Sequence, residues 1–440
     1  MTRRAAFLLL VVCAMPVAHA QERAPLRLTL KQAIELGLKN NVGVLLAKTG
    51  IDEAAGTRER RLAALLPHTV ADSLINYQNR NLAVAGISIP GVPLTVPPYS
   101  FVDFRVAATQ PLVDRQAYHD WKASAKAETG AALTYRDVRD LVVRQTAALY
   151  LAGQAAAAQV DAGNARVTTS IALEQMARDQ RDQGLATGVD VVRAQVQLAR
   201  DRQNVLVAAN AYQNSLLALA RYIGIDFGTA VELGEPLTFE AAVVPGIGDA
   251  VARSLLNRAD YLSLAAQRDA LEEQRRAADA RALPKLSVSG DYGAIGRTSG
   301  PLPGIGEIQA TVTISLFDRD RTGAKREATS LLDRVNEEIA DLARGIEQEL
   351  RKAVLDLQST EQQVDVMNAA VDLAERELTL AEDRFRNGVS DNVEVVAAQD
   401  AVAATRDDRI AALVRHADAK LALARAMGLT EQQFVSGVSP

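Results

Sequence analysis

The chain has 440 residues, a formal net charge of −5 and a single cysteine, Cys13. An acidic balance argues against a nucleic-acid partner, and one cysteine excludes a disulfide framework. Aromatic residues make up only 4% of the chain and alanine is abundant, which favours long, closely packed helices over a thick globular core.

The N-terminus has the pattern of a secretory signal peptide over residues 1–20. Two arginines precede the apolar run Ala5–Met15, and a small-x-small cleavage site follows. A lipoprotein would need a small residue directly before Cys13, but a valine stands there, so we expect no lipid anchor. The mature chain, 21–440, lacks an apolar run long enough for a membrane-spanning helix. We therefore expect an exported protein that is soluble, peripheral or a β-barrel.

Each half of the chain predicts a helix followed by two strands. In the first half Thr29 is a candidate N-cap for a helix over 31–65, which Pro67 stops. In the second half the corresponding helix is Ile247–Leu283, stopped by Pro284. Beyond each proline the spacing of apolar residues changes from 3.6 to 2, which predicts strands. The predicted β-hairpins cover about 68–112 and 285–317.

Alternate residues of these strands divide into an apolar and a polar face. The apolar residues that we expect to face lipid are Val102, Phe104, Val106, Val312 and Ile314. Strands of about ten residues with this pattern match transmembrane barrel strands, and the edge of a soluble β-sandwich is the alternative. Four strands cannot close a barrel, so a barrel requires several copies of the chain. Two, three or four copies would give about 8, 12 or 16 strands.

A long helix follows each predicted β-hairpin, over Gln116–Gln183 and Arg321–Asn387. At about 1.5 Å per residue each long helix spans roughly 100 Å. The shorter helices, such as 31–65 and 189–223, would each measure about 52 Å. We therefore expect two short helices to stack end to end beside each long one, in a mantle about 100 Å tall. Asp226–Pro245 has no predicted secondary structure and links the halves as a belt.

Residues 181–224 recur later in the chain at a constant offset of about 204 residues. Gly184 corresponds to Gly388, and Asp190 corresponds to Glu394. Each copy runs through a glycine-containing turn into a helix that another glycine ends. The repeated unit is therefore a helical hairpin. The chain divides into two structural repeats and a linker, about 28–225, 246–429 and 226–245.

The second tip carries the pattern Gly-x-x-x-x-Val-Glu-Val-Val-x-Ala-Gln from Gly388 to Gln399, and the first tip carries it with Asp190. In this pattern, and over nearly its whole length, the chain resembles the outer membrane efflux protein family, the TolC-like exit ducts. The resemblance implies a mainly α fold, with long helical hairpins forming an α-barrel. It also selects a homotrimer, in which four transmembrane strands per chain complete a 12-stranded β-barrel in outer-membrane lipid.

The resemblance further implies a passive exit duct of a tripartite efflux or secretion system, with a long periplasmic portion. Its partners would be a periplasmic adaptor and an inner-membrane transporter of the RND or ABC type. The adaptor-contacting tips would be Gly184, Gly188, Gly388 and Asn392. The periplasmic gate would be formed by Asp190, Arg193, Val393, Glu394 and Ala397.

The predicted gate departs from the family pattern at one position. Glu394 falls where family members often have an acidic residue, but the next such position is Ala397. Its first-half counterpart is Arg193, which could pair with Glu394 and neutralise it. We therefore expect a weaker acidic ring than in the family. The alternative is that Asp190 and Glu394 only stabilise the first turns of their helices.

The sequence has no P-loop, no G-x-S-x-G turn and no H-E-x-x-H motif, and its four histidines are far apart. We therefore predict no enzymatic activity, no cofactor and no metal site. A different class of protein, a secreted or periplasmic coiled-coil scaffold without a pore, is the alternative. Paired strands with one apolar face at matching places in both halves argue against a scaffold.

Overall fold

The structure is a computed structural model, and it describes residues 26–436. The predicted signal peptide lies outside the described residues. Both halves of the chain have the same order of elements: two short helices in series, a β-hairpin, a very long helix and a helix of intermediate length.

The helices of the first half are α1 Leu30–Asn40, α2 Val42–Ala63, α3 Arg115–Asp182 and α4 Gly188–Ile223. Thr29 caps α1 as predicted, since its hydroxyl accepts from the Gln32 amide at 3.2 Å and the Gln32 side chain accepts from the Thr29 amide at 3.0 Å. The helix predicted over 31–65 is in fact two helices. Asn41 interrupts it with an extended backbone, and its side chain caps α2 by accepting from the Gly43 amide at 2.8 Å.

The helices of the second half are α5 Ile247–Asn257, α6 Ala259–Ala280, α7 Arg319–Arg386 and α8 Asn392–Ala426. Here too the predicted single helix is broken, at Arg258, which corresponds in the repeat to Asn41. A further short helix, α9 Thr430–Ser436, was not predicted and packs against α3 and α1.

α2 and α4 stack end to end beside α3, and α6 and α8 stack in the same way beside α7, as predicted. The long helices α3 and α7 have 68 residues each, or about 100 Å. α2 and α4 both pack along α3, and α6 and α8 both pack along α7. The end of α4 meets the junction of α1 and α2, where Asn41 Nδ2 donates to the carbonyl of Tyr222 at 2.9 Å.

Two glycines at these junctions permit the close approach of the helix ends. Gly224 and Gly428 follow α4 and α8 with φ of 71° and 67°, the left-handed conformation that ends a helix. A Cβ atom on Gly224 would lie 2.7 Å from the Cβ of Asn40. On Gly428 it would lie 2.8 Å from the main-chain nitrogen of Arg258. Both glycines are therefore required by backbone conformation and by space.

Six strands lie within residues 26–436: β1 Leu26–Leu28, β2 His68–Asn81, β3 Thr95–Val113, β4 Val231–Leu233, β5 Lys285–Arg297 and β6 Gly304–Thr313. β2, β3, β5 and β6 form an antiparallel sheet in that order, and β1 pairs with β4 in parallel. The segment Asp226–Pro245 is therefore not free of secondary structure, because it contains β4. Behind this pair, the buried hydroxyl of Tyr150 donates to the carbonyl of Leu28 at 2.9 Å.

The register of the sheet shows which side chains share a face, because directly opposed residues point the same way. Val106 lies opposite both Ala71 and Tyr292, and Val312 lies opposite Leu286. By alternation, Val102, Phe104, Val106 and Val312 share one face. Ile314 was predicted in the same strand but lies beyond the end of β6. The β5–β6 ladder ends where Lys285, the first residue of β5, pairs with Thr313. Among the helices described, none is long and apolar enough to cross a membrane.

Candidate functional site at the paired hairpin tips

The tip between α3 and α4 is a tight turn built on Gly184. Its φ is 77°, and its amide donates to the carbonyl of Arg181 at 2.9 Å. The next amide, of Leu185, reaches back to the carbonyl of Gln180 at 2.8 Å. This pair of bonds is a Schellman motif, which satisfies the last carbonyls of α3.

The tip between α7 and α8 repeats this turn at Gly388. Its φ is 70°, and a Cβ there would meet no atom within 4 Å. The amide of Val389 donates to the carbonyl of Arg384 at 3.0 Å. The glycine is thus required by the left-handed backbone alone, since the space around it is open.

The start of α4 fixes the position and charge of Asp190. Thr187 and Asp190 form a capping box, in which the Asp190 carboxylate accepts from the Thr187 amide at 2.9 Å. Arg193 lies one turn on, with its Nη1 3.1 Å from Asp190 Oδ1. Burial alone would raise the pKa of Asp190, but the Thr187 hydrogen bonds and Arg193 outweigh it and hold the pKa below its ordinary 3.8. Asp190 is therefore a carboxylate at neutral pH.

The start of α8 joins the two hairpins. Asp391 caps the helix by accepting from the Val393 amide at 3.1 Å. The next residue, Asn392, is fully buried, and its Nδ2 donates to the main-chain carbonyl of Asp190 at 2.9 Å. The residue predicted as an exposed adaptor contact is thus an internal link between the tips.

Glu394 and Arg193 do not pair within the chain, contrary to one interpretation of the sequence. Glu394 Oε1 lies 3.5 Å from an Arg384 nitrogen of α7, while Arg193 pairs with Asp190. Asp190 and Glu394 are therefore each balanced by an arginine of their own hairpin. Val393 is 46% exposed, and Ala397 is also exposed.

A small apolar core holds the hairpins side by side behind the tips. Leu173, Ala177, Val191, Ala194, Ala381, Phe385, Val395 and Ala398 form it. At its end, Gln180 Nε2 donates to the carbonyl of Phe385 at 2.7 Å, and further along Gln197 Nε2 donates to Asp400 at 3.3 Å. Four α-helices thus meet at one site through both apolar and polar contacts.

Sequence reasoning missed Gln180 and Gln197, although the repeat itself contained a signal. Gln180 corresponds to Arg384, and Asn392 corresponds to Gly188. At both positions the two repeats have different residues, and the structure gives these residues different contacts. Gln180 and Asn392 form hydrogen bonds to the other hairpin, whereas Arg384 pairs with a carboxylate of its own hairpin. Departures from the repeat therefore mark the contacts between its copies.

Two of the three histidines within residues 26–436, His119 and His416, have structural partners. His119 Nδ1 lies 2.6 Å from Glu273 Oε2, between α3 and α6. His416 is buried, with Nε2 3.0 Å from the carbonyl of Glu240. No group of three or more potential metal-binding side chains occurs in the part of the chain that the structure describes.

Paired helical hairpins beneath an antiparallel sheet are the fold of an outer-membrane channel subunit, as comparison with known proteins shows. The sequence matches the family described as outer membrane efflux protein over residues 33–225 and 250–429. The chain therefore belongs to the outer membrane efflux protein family. No curated protein sequence matches it.

Solved structures share the fold at low sequence identity. The outer membrane protein VceC from Vibrio cholerae is 18% identical, with 91% of this chain and 96% of that chain covered and a TM-score of 0.78. The CmeC outer membrane channel from Campylobacter jejuni is 16% identical, with 91% and 86% covered and a TM-score of 0.81. The open state of the MtrE outer membrane channel from Neisseria gonorrhoeae is 16% identical, with 91% and 89% covered and a TM-score of 0.78.

Proposed function

We propose that this chain forms a homotrimeric exit duct in the outer membrane, which passively conducts substrates to the exterior. The four-stranded sheet carries the proposal. Its apolar face leaves Phe104, Ile308 and Val312 exposed by 50%, 86% and 63%. Its outer strands, β2 and β6, have one strand partner each among the described residues. An unpaired strand edge is not tolerated in lipid, so a sheet with such a face requires further copies.

Three copies would close the sheet. Three four-stranded sheets give about 12 strands, an even number within the range of outer-membrane barrels. β6 has 10 residues, and when tilted by roughly 40° a strand of that length rises about 25 Å, the height of the apolar band. Val102, Phe104, Val106 and Val312 would then face lipid. The opposite face, on which Arg105 lies 2.8 Å from Asp103 and 3.5 Å from Asp291, would line the pore.

The helices would extend from this barrel into the periplasm, with the hairpin tips about 100 Å away. We assign adaptor docking to the tips around Gly184–Gly188 and Gly388–Asp391, which leaves out the buried Asn392. Their exposed apolar side chains support this assignment, since Leu185, Val189 and Val389 are more than 60% exposed. The adaptor would connect the duct to an inner-membrane transporter of the RND or ABC type.

We place the gate at Asp190, Arg193, Val393, Glu394 and Ala397 of three chains. Arg193 and Arg384 balance the two carboxylates, so we expect at most a weak preference for cations at the mouth. Closure would depend on contacts between hairpins, with the adaptor shifting a closed–open equilibrium through its differential affinity.

Three measurements on the full-length protein test this function. We expect it in the outer-membrane fraction, as a trimer that dissociates only on heating, and as a conducting pore in a planar lipid bilayer. A coiled-coil scaffold would instead remain in the soluble fraction and leave the bilayer unchanged. That outcome would reject the duct.

A further inference from the structure

The hairpin of β2 and β3 projects beyond the rest of the sheet. The pairing of β3 with β5 ends at Phe101, which lies opposite Arg297, the last residue of β5. From Ser100 back to Thr95, the ladder of β3 is with β2, and Ser100 also accepts from the Thr298 amide of the β5–β6 loop at 3.1 Å. The β2–β3 ladder therefore extends by about five residues, or roughly 16 Å, past Arg297.

The loop at this projecting end, residues 82–94, is apolar and uncharged; we call it the apical loop. Its exposed side chains include Val84 at 87%, Ile87 at 45%, Ile89 at 52%, Val92 at 45% and Leu94 at 52%. No charged residue occurs between Arg80 and Asp103. Such a cluster of exposed apolar side chains marks an interaction surface.

The apical loop has a defined structure. The Leu82 amide donates to the carbonyl of Leu94 at 2.7 Å and closes its base. The Asn81 side chain accepts from the Ala83 amide at 3.0 Å and starts a single 3-10 turn. Gly86 then turns the chain with a φ of 67°, and the Ile87 amide returns to the carbonyl of Leu82 at 3.1 Å. The loop thus presents a fixed apolar surface.

The ladder below the apical loop contains a bend. Gln78 lies opposite Tyr99 and Arg80 opposite Val96, so the single residue Asn79 faces two prolines, 97 and 98. An extra residue in one strand bends it, and prolines are found at such bulges because they have no amide hydrogen to donate. The projecting hairpin end can therefore tilt relative to the sheet.

The height of the apical loop above the β5–β6 ladder determines whether the loop lies in lipid or outside it. The ladder between β5 and β6 already accounts for the height of the apolar band. That ladder ends at Ala294, opposite Gly304. Beyond this level lie the charged Arg297 and then Tyr77 and Tyr99, aromatic residues of the kind that form a girdle at the interface. The apical loop lies further from the helices than these residues. It therefore lies above the hydrocarbon, where its apolar side chains need a protein partner.

We infer that the apical loops of three copies pack against one another over the outer mouth of the pore and form an external constriction. The inference rests on the proposed trimeric duct. Threefold symmetry brings the same residues together near the axis, where like charges would repel, and the apical loop has none. The bend at prolines 97 and 98 lets each loop lean toward the axis. The partner of each loop is thus the same loop in the neighbouring copies.

A matched pair of substitutions tests the constriction in the full-length trimer. Ile89, in the apical loop, is 52% exposed, and Leu302, in the shorter loop between β5 and β6, is 51% exposed. We expect Ile89→Asp to raise single-channel conductance in a planar bilayer at least twofold, because three carboxylates would separate the loops. Leu302→Asp should conduct as the wild type does. Equal conductance of Ile89→Asp and wild type in intact trimers would overturn the inference.

Cross-linking supplies a second measurement. Ile89→Cys should form disulfide-linked dimers between copies on oxidation, whereas Leu302→Cys should not. If a fluorophore on Ile89→Cys is instead quenched by brominated phospholipid, the loop lies in lipid and the inference is wrong. A protein that forms no trimer and no pore at all would reject the proposed duct itself, which separates the two failures.

Discussion

Asn392 Nδ2 lies 2.9 Å from the main-chain oxygen of Asp190, so one buried amide ties the first turn of α8 to the first turn of α4. Its counterpart in the first repeat is a glycine, Gly188, and the link therefore runs in one direction only. Asn392 thus adds to the coupling of the two hairpins by the apolar core and by Gln180 and Gln197.

We expect Asn392→Ala to loosen this coupling. The change removes the bond and leaves the Asp190 carbonyl without that donor, at a cost of about 1–3 kcal/mol. The isolated trimer should then show raised conductance in a planar bilayer. Asn387→Ala is the control, because Asn387 is exposed and bonds only to Asp383 of its own helix. Conductance raised equally by both changes would show that the link is not specific.

Arg193→Ala should also raise conductance at neutral pH, because it removes the partner 3.1 Å from Asp190. The pKa of Asp190 is lowered in the folded chain, so the stabilisation it gives is complete above its ordinary pKa of 3.8 and is lost as the pH falls through the lower, folded value. Wild-type conductance should therefore be constant from about pH 7 to 5 and rise only below about pH 4. Asp190→Asn should be independent of pH in that range. Wild-type behaviour of Arg193→Ala would remove Arg193 from the gate.

A charge on the apolar face should prevent barrel assembly. Val106 lies mid-strand on that face, and Ala107, opposite Asp291, lies on the other. Val106→Arg should cost up to about 2–4 kcal/mol per chain, the value at the membrane midplane, whereas Ala107→Arg should be tolerated. Heat-modifiable trimer in outer-membrane fractions is the measurement. Val312→Arg should be milder than Val106→Arg, because Val312 is the second-last residue of β6, near the rim. If Val106→Arg and Ala107→Arg assemble equally well, the facing is wrong.

Gly388→Val should abolish export while the trimer survives. Valine is strained at the φ of 70° that Gly388 adopts, so the α7–α8 turn would shift and disturb the docking surface. Gly345→Val is a control away from both tips, since Gly345 lies inside α7 with no positive φ and open space around it. Export assays in cells and trimer migration on gels separate the two effects. Normal export by Gly388→Val would count against docking at this turn.

Gly224→Ala should destabilise the junction of the stacked helices. The added methyl group would meet the Cβ of Asn40 at 2.7 Å. Holding an alanine in the left-handed backbone conformation costs about 1 kcal/mol more of folding free energy. We expect a lower midpoint of thermal unfolding for the trimer. Gly50→Ala serves as control, because Gly50 lies inside α2 with nothing within 4 Å, and it should be neutral or stabilising. An unchanged midpoint for Gly224→Ala would contradict the close junction.

Much of this architecture follows from periodicity. The prediction for α3, Gln116–Gln183, differs from the observed Arg115–Asp182 by one residue at each end, because Asp114 caps one end and Gly184 ends the other. The breaks at Asn41 and Arg258 escaped prediction, since they depend on the ends of α4 and α8, some 180 residues away in sequence. The pairing of Glu394 with Arg384 escaped for a different reason: it forms across the α7–α8 turn, and helical spacing does not show which side chains a turn brings together. Local patterns determine where helices begin and end, but not which partner a charged side chain finds.

The equal length of α3 and α7, 68 residues each, constrains how this chain can change in evolution. Deleting seven residues from α3 alone would raise its tip by about 10 Å relative to the other hairpin. Asn392 would then no longer reach Asp190, and α4 would overrun its neighbour at Gly224. Viable insertions and deletions must therefore occur in matched sets of four, one in each helix of both hairpins. A shortened duct for engineering should be designed by the same rule.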